Sequence, residues 1–447
     1  MNIMLRIRFA GKAAIALAVV LLAALALIPL AAACGDDEEE SATPEATPTA
    51  AATETATPAA TPGAFGPGVT DTEIILGQHN SLSGPLGAVY KVVSDSFQAY
   101  IDYVNEEEGG ACGRKIVIKL EDDKNTEVGA LEAVRKLVEQ DQVLAIVDSL
   151  GNQVASSEYL TEKGVPNLLT YDVRNEVAGD PEKYPWTTQM VPSTYTVGQN
   201  MALYITEELP GKKAGVLYTN NETGKEGLQG VKDGLEGSTS EVVGEQPVEE
   251  LDIDLRAEVS RLKETGAEVV CLFPSITQTI QAIKMADRLG WKPEWVAHYA
   301  MADPIIFLYA PGDLLEGMVT FHAFKMHTWT DDPAVARHYE IMQKYGGPKP
   351  GIFTILSQVA AEIIQETLNR TCDNLTREGV MEANLSFDHW RSELLYPHED
   401  VYLSTSQTDR RFLQGGPAMI VVVGEDGQPR WEVYREEPFM FYEEWEE

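Results

Sequence analysis

His322, His327 and His338 crowd one stretch of the chain, and histidine is the residue type that most readily invites a metal or a proton. A spacing of five does not put His322 and His327 on one face of a helix or a strand, so they read as surface histidines. Asp123, Asn125 and Glu127 alternate like the opening of a calcium loop. The glycine that such a loop needs next is Val128 here, and helix capping is the better account of these residues. The four cysteines, Cys34, Cys112, Cys271 and Cys372, contain no Cys-x-x-Cys pair of a zinc or redox site. A Gly-x-Ser-x-Gly elbow, a phosphate loop, a Rossmann glycine triplet and a His-Glu-x-x-His helix are all missing from the sequence. No enzyme activity, cofactor or metal is expected, which leaves recognition: amides, hydroxyls and aromatic rings that touch a ligand without changing it.

Such groups need a scaffold, and the composition bounds it. With 34 Lys plus Arg against 70 Asp plus Glu, the chain carries a formal charge of −36, and an acidic surface repels nucleic-acid phosphates. A chain of 447 residues that is 44% hydrophobic can build proper cores, in roughly two to four domains. From Val69 onward short β-rich runs alternate with amphipathic segments. Strands are expected at 74–77, 115–120, 144–147 and 167–169, with helices at 94–105, 126–140 and up to Lys163, where Gly164-Val165-Pro166 is a stop. After Tyr184-Pro185-Trp186-Thr187 the rhythm restarts, with strands at 214–218, 241–243, 268–273 and 295–297 and helices near 225–235, 255–264 and 277–290. Two consecutive sets of this kind predict two α/β lobes with parallel sheets, and ligands in such folds sit at the carboxyl ends of the strands, near helix starts.

Arg6, Arg8 and Lys12, the apolar run to Leu30, and Ala31-Ala32-Ala33-Cys34 have the order of an export signal. The alanines before Cys34 resemble the lipobox of bacterial lipoproteins, although its usual leucine falls one position early, at Leu30. The resemblance implies that residues 1–33 are removed and that Cys34 is acylated; an uncleaved anchor is the alternative. Residues 34–67 are acidic and then almost only Thr, Ala, Pro and Glu, which predicts an extended tether.

Beyond the tether an ordered set of short motifs carries a resemblance. Val69-Thr70-Asp71-Thr72-Glu73-Ile74, Leu82-Ser83-Gly84-Pro85, Gly109-Gly110 through Ile116, and Glu121-Asp122-Asp123 come first. Arg135-Lys136-Leu137-Val138, Gly164-Val165-Pro166, Gly224 through Leu228, Leu289 through Pro293, and Val421 through Gly427 follow. Together they resemble the branched-chain amino acid type of periplasmic solute-binding protein, the type I fold of ABC importers. That likeness implies two Rossmann-like lobes joined by three hinge crossovers, near 184–189, 318–321 and 414–419, in a Venus-flytrap arrangement. It divides the chain into 68–188 and 320–416 for the first lobe, and 189–319 and 417–447 for the second.

In amino-acid-binding relatives the ligand carboxylate meets the start of the helix after the third strand and the loop after the fourth. Those places hold Gly151-Asn152-Gln153 and Thr170-Tyr171-Asp172-Val173 here, although Asn152 can equally be a helix cap. With Ser83 these make the expected first wall: Ser83, Asn152, Gln153, Tyr171 and Val173. The second wall is expected at Thr223, Ser275 and Tyr299. Relatives commonly have a tyrosine and a carboxylate where Thr223 and Tyr299 stand, so an ordinary α-amino acid is in doubt unless Glu222 or Asp303 takes over. Tyr171, Trp186 and Tyr299 offer rings for an aromatic ligand, although two of the three can equally be core or hinge packing. The family topology assigns Cys112 and Cys372 to one lobe and implies a disulfide between them, with Cys271 left as a buried thiol. A small-molecule ligand, a membrane permease as partner, a lipid-anchored extracytoplasmic location and a monomer complete the expectation. A sensor that presents its bound state to a receptor, and an envelope structural lipoprotein, are the alternatives.

Overall fold

Ile74, Leu76 and the residues after them are buried almost without a break, the mark of a strand covered on both faces. In the computed structural model, which describes residues 65–84, 87–150, 153–171, 174–413, 415–435 and 437–440, this run is strand β1 (Glu73–Asn80). The export address, Cys34 and the tether up to residue 64 lie outside the described residues; the last residues assigned to the tether are part of the fold, with the Gly66 amide donating to the Leu375 carbonyl. One parallel sheet takes β1, β2 (Lys115–Asp122), β3 (Ile146–Val147), β4 (Asn167–Thr170) and β5 (Thr187–Gln189), in the order β2-β1-β3-β4-β5. Between them run α1 (Gly87–Tyr103), α2 (Glu127–Glu139), α3 (Val154–Lys163) and the short α4 (Asn175–Ala178). Thr126 caps α2 by accepting from the Gly129 amide, and Gly164, at φ +60°, ends α3 in the left-handed conformation that glycine adopts without strain.

The second sheet gathers β6 (Lys213–Thr219), β7 (Glu241–Val248), β8 (Val269–Leu272), β9 (Glu294–Ala297) and β10 (Val319–Phe321) in parallel. Two late antiparallel strands, β12 (Ala418–Val423) and β13 (Pro429–Val433), complete the order β13-β12-β10-β9-β8-β6-β7. Its helices are α5 (Thr194–Glu208), α6 (Glu222–Leu235), α7 (Arg256–Glu264), α8 (Ile276–Arg288) and the short α9 (Gly312–Leu315). Helix α5 buries Val197, Met201, Tyr204 and Ile205 in the core, and glycines let it lie directly on α6: a Cβ at Gly230 would stand 2.0 Å from the Tyr195 carbonyl oxygen.

After β10 the chain returns to cover the first sheet with α10 (Pro333–Lys344), α11 (Ile352–Arg370) and α12 (Arg377–Asn384), where α11 packs on α1. Strands β11 (Gly415–Gly416) and β14 (Phe439–Met440) form a small antiparallel pair. Cys112, in the turn before β2, and Cys372, just beyond α11, form a disulfide with their Cα atoms 5.3 Å apart, and Cys271 is a buried free thiol in β8.

Three strands of chain pass between the sheets side by side. Gln189 donates its amide to the Arg410 carbonyl and accepts from the Phe412 amide, and the His322 amide bonds the Pro417 carbonyl. The histidines are not on the surface. His322 lies in this crossing at 6% exposure, His338 is fully buried between Gln358 and Thr354, and His327 is half-buried. The return of α10 and α11 onto the first lobe encloses them. Asp123 does not serve as a cap for α2 either: it is buried, with Oδ2 3.0 Å from His79 Nδ1 and Oδ1 accepting from the Ser81 hydroxyl.

Candidate functional site

Parallel strands end together, so the groups that follow β1, β3 and β4 meet at one edge of the first sheet. Asp148 follows β3 at φ +50° and is fully buried. Its Oδ2 accepts from Gln78 Nε2 at 2.9 Å and from the Ser357 hydroxyl of α11 at 3.3 Å, while Oδ1 has no hydrogen-bond partner among the described residues. Burial pushes its pKa well above the ordinary carboxylate value, so the acid tends to keep its proton. Tyr171 follows β4, with its amide on the Ser149 carbonyl, and its hydroxyl likewise has no partner among the described residues. Burial first, then the neighbouring Asp148 and more weakly Tyr299, raise its pKa well above 10. The phenol is therefore neutral and faces the Asp148 carboxyl group, close enough for the two to act on each other's protonation.

Gln153, at the start of α3, is fully buried, and its Nε2 is without a partner among the described residues. Asn152 and Val173 lie outside the described residues. Ser83 is exposed on the loop after β1. There, although burial acts upward, hydrogen bonds from its hydroxyl and from neighbouring amides hold Asp122 below the usual carboxylate range.

On the second lobe Tyr299 follows β9. Its ring lies 4.1 Å from that of His298, centroid to centroid, and His298 Nδ1 accepts from the Ala300 amide. Burial raises the Tyr299 phenol and lowers His298 to about 4, so this pair is uncharged at neutral pH. Beside Tyr299 is an apolar cavity of about 30 Å³, lined from both lobes by Phe321, Phe324, Phe353, Leu356 and Leu413 among others. Such a volume holds one water-sized group, so in this conformation the lobes stand close together. Recesses of about 410 and 480 Å³ lie elsewhere, on the outer face of α1 and α10. The half-buried carboxylate in the first, Glu362, is already bonded to Ser392 and Gln358.

The other second-wall residues do less. Thr223 is half-buried in the first turn of α6, whose cap is Asn221, and Ser275 is an exposed capping residue that shares a capping box with Gln278. Glu222 pairs with Lys225 at the surface. Asp303 caps the turn after Tyr299 by accepting from the Ile305 amide. Trp186 is not in the cleft. Its carbonyl accepts from the Asn167 amide at the amino end of β4, and its ring packs over Gly164. The parallel pairing of Asn167 with Thr187 fixes that position, because it puts the residue before β5 at the far end of the sheet. The structure thus brings Tyr171 and Tyr299 together across the lobes and adds Asp148, Gln78, Ser357 and His298. Nothing in local sequence marks that set, since Ser357 stands 209 positions from Asp148.

Among the described residues no group of three His, Cys, Asp or Glu side chains can hold a metal, and no helix is long and apolar enough to cross a membrane. Two α/β lobes with three crossings, and a cleft lined by neutral hydrogen-bonding and aromatic groups, define a solute-binding protein of the type I, Venus-flytrap kind. Residues 73–417 match the periplasmic binding protein family, and the chain belongs to it. A Leu/Ile/Val-binding protein homologue of Brucella abortus is 23% identical over 334 residues, spanning 68% of this chain and 79% of that one. A branched-chain amino acid ABC transporter structure from Thermus thermophilus, with bound valine, superposes with a TM-score of 0.73 at 18% identity, covering 83% of this chain and 97% of that one. A solute-binding protein of an ABC transporter from R. palustris, in complex with 4-hydroxybenzoate, gives 0.67 at 18% identity over 82% and 97%. The protein is thus a periplasmic binding protein, of an extracytoplasmic family of binders and not of enzymes.

Proposed function

We propose that this chain is the lipid-anchored receptor of an ABC importer, which captures a small organic molecule with an apolar or aromatic body and a polar end, such as a carboxylate, and hands it unchanged to a membrane permease. In this reading residues 1–33 are the export signal, Cys34 carries the lipid, 34–64 are the tether, and the two lobes are 68–188 with 320–416 and 189–319 with 417–447. The observation that carries it is the pair of neutral phenols, Tyr171 and Tyr299, approaching from opposite lobes. A ligand drives closure only through contacts that it makes better in the closed form, and a group on each wall supplies them. Asp148, Tyr171 and Gln153 leave polar atoms for a ligand's head, and the apolar lining beside Tyr299 suits its body. A free ammonium has no obvious partner in Glu222, which is bound to Lys225. This favours ligands such as aromatic or other apolar acids over plain α-amino acids.

The test is mass spectrometry of what the purified protein carries, followed by thermal shift with valine, 4-hydroxybenzoate and related aliphatic and aromatic acids. A member of that class should bind, and Tyr299→Ala should weaken its binding by about 1 to 3 kcal/mol while the unliganded melting temperature holds. If none of these acids binds and nothing small co-purifies, the reading fails.

A further inference from the structure

Helix α4 of the first lobe begins without a side-chain cap, and at the start of α11 the helix itself serves only the Gly351 amide, through Thr354 Oγ1. The residue before α4 is Arg174, whose side chain makes no capping bond, and the residue before α11 is Gly351, which has no side chain to offer. Their first amides are satisfied instead from the second lobe. Glu226, on α6, accepts from the Asn175 amide with Oε2 at 3.0 Å. Asp303, in the turn after Tyr299, accepts from the Ile352 amide with Oδ2 at 3.4 Å while its other oxygen holds the Ile305 amide. The carboxylate sits close to this start: a Cβ at Gly351 would stand 3.3 Å from Asp303 Oδ2. Unpaired amides at a helix start favour negative charge, and α11 is 19 residues long, so its start presents a full dipole.

We propose that Glu226 and Asp303 form a two-point latch, in which carboxylates of the second lobe complete helix starts of the first, so that the protein itself holds part of the closed form and the ligand supplies the rest. Opening the cleft gives both amides back to water. Each latch contact therefore raises the fraction of binding-competent closed molecules, and with it the apparent affinity for any ligand of the cleft. The inference does not depend on which solute binds.

Amide hydrogen exchange on the full chain, passed through denaturant to strip bound solute and refolded, tests it directly. In the wild type the Asn175 and Ile352 amides should be protected. Asp303→Ser keeps a short cap for Ile305 but no longer reaches Ile352. It should accelerate exchange at Ile352 and, by about tenfold, also at Asn175, which Asp303 does not touch. Glu226→Ala should do the converse. The Leu144 and Phe273 amides, bonded within the two sheets, report that each lobe stays folded. Cross-acceleration is the signature of a latch. If each substitution frees only its own amide, or if both amides exchange at the unprotected rate in the wild type, these carboxylates are local caps and the latch is wrong. If one variant loses sheet protection, the other single variant carries the same test.

Discussion

Asp148→Asn should make the protein more stable at neutral pH, although it alters a fully buried residue of the cleft. In the folded protein burial raises the Asp148 pKa far above its ordinary 3.8. The folded state thus binds this proton more tightly than the unfolded chain does, so the group's favourable contribution is full below pH 3.8 and is lost as pH rises toward the folded pKa. At pH 7.5 the protein either takes a proton from a nearly proton-free solution or buries a charge, and every tenfold difference in proton affinity between the two states corresponds to about 1.4 kcal/mol. Asparagine avoids both. Its carbonyl oxygen still accepts from Gln78 and Ser357, and its amide can donate toward the neighbouring Tyr171 hydroxyl. The expected gain is about 1 to 3 kcal/mol at pH 7.5, the scale of relieving one unmatched buried polar group, shrinking toward zero near pH 4. Urea denaturation of both proteins at the two pH values measures it. A gain of equal size at both would mean that protonation is not its source, and a loss at pH 7.5 would mean that Asp148 is ionised and well partnered.

Acid should act through the buried histidines. Burial lowers His298, His322 and His338 to about 4 from 6.5, so the folded state takes up fewer protons than the unfolded chain and stability falls as pH drops from 6.5 toward 4. His322→Phe, in an apolar crossing beside Phe324, should flatten that limb by about 2 to 3 kcal/mol between pH 7.5 and 4.5, and parallel urea-stability curves would exclude the histidine as its cause. Cys34→Ala should leave an unprocessed chain that no longer partitions into detergent as the wild type does; unchanged processing and partitioning would remove the lipid anchor from the proposed function.

Where burial follows a simple period, the sequence is a good guide to this fold. The buried run of β1 and the stripe Val134 and Leu137 of α2 lie where their patterns put them, and Gly164 ends α3 at the stop before Val165-Pro166. Helix α5 is harder to read because it is buried on more than one side: Val197, Met201, Tyr204 and Ile205 face the core, while Thr194 and Gly198 let it approach α6 closely. Tyr171 and Tyr299 can be found by position, one after each lobe's strand. Asp148 cannot, because its environment comes from Gln78 and from Ser357 far along the chain. Trp186 misleads for a related reason: an aromatic next to a crossover suggests the cleft, but strand pairing assigns it to the opposite end of the sheet.

The disulfide between Cys112 and Cys372 spans 260 positions, and strands β6 to β10 of the second lobe are synthesised between its two halves. At a synthesis rate of about 5 to 20 residues per second, roughly 13 to 52 s separate the two cysteines. Throughout that interval α1 waits with its apolar face open, since the surface it needs is on α11. The second sheet waits too, for β12 and β13 near the end. Neither lobe can be cut out as a working module, and a fragment ending before α11 would expose the apolar surfaces that invite aggregation. The order in which this chain is made is therefore not the order in which its two sheets can be completed, and the contacts that complete them join segments distant in sequence.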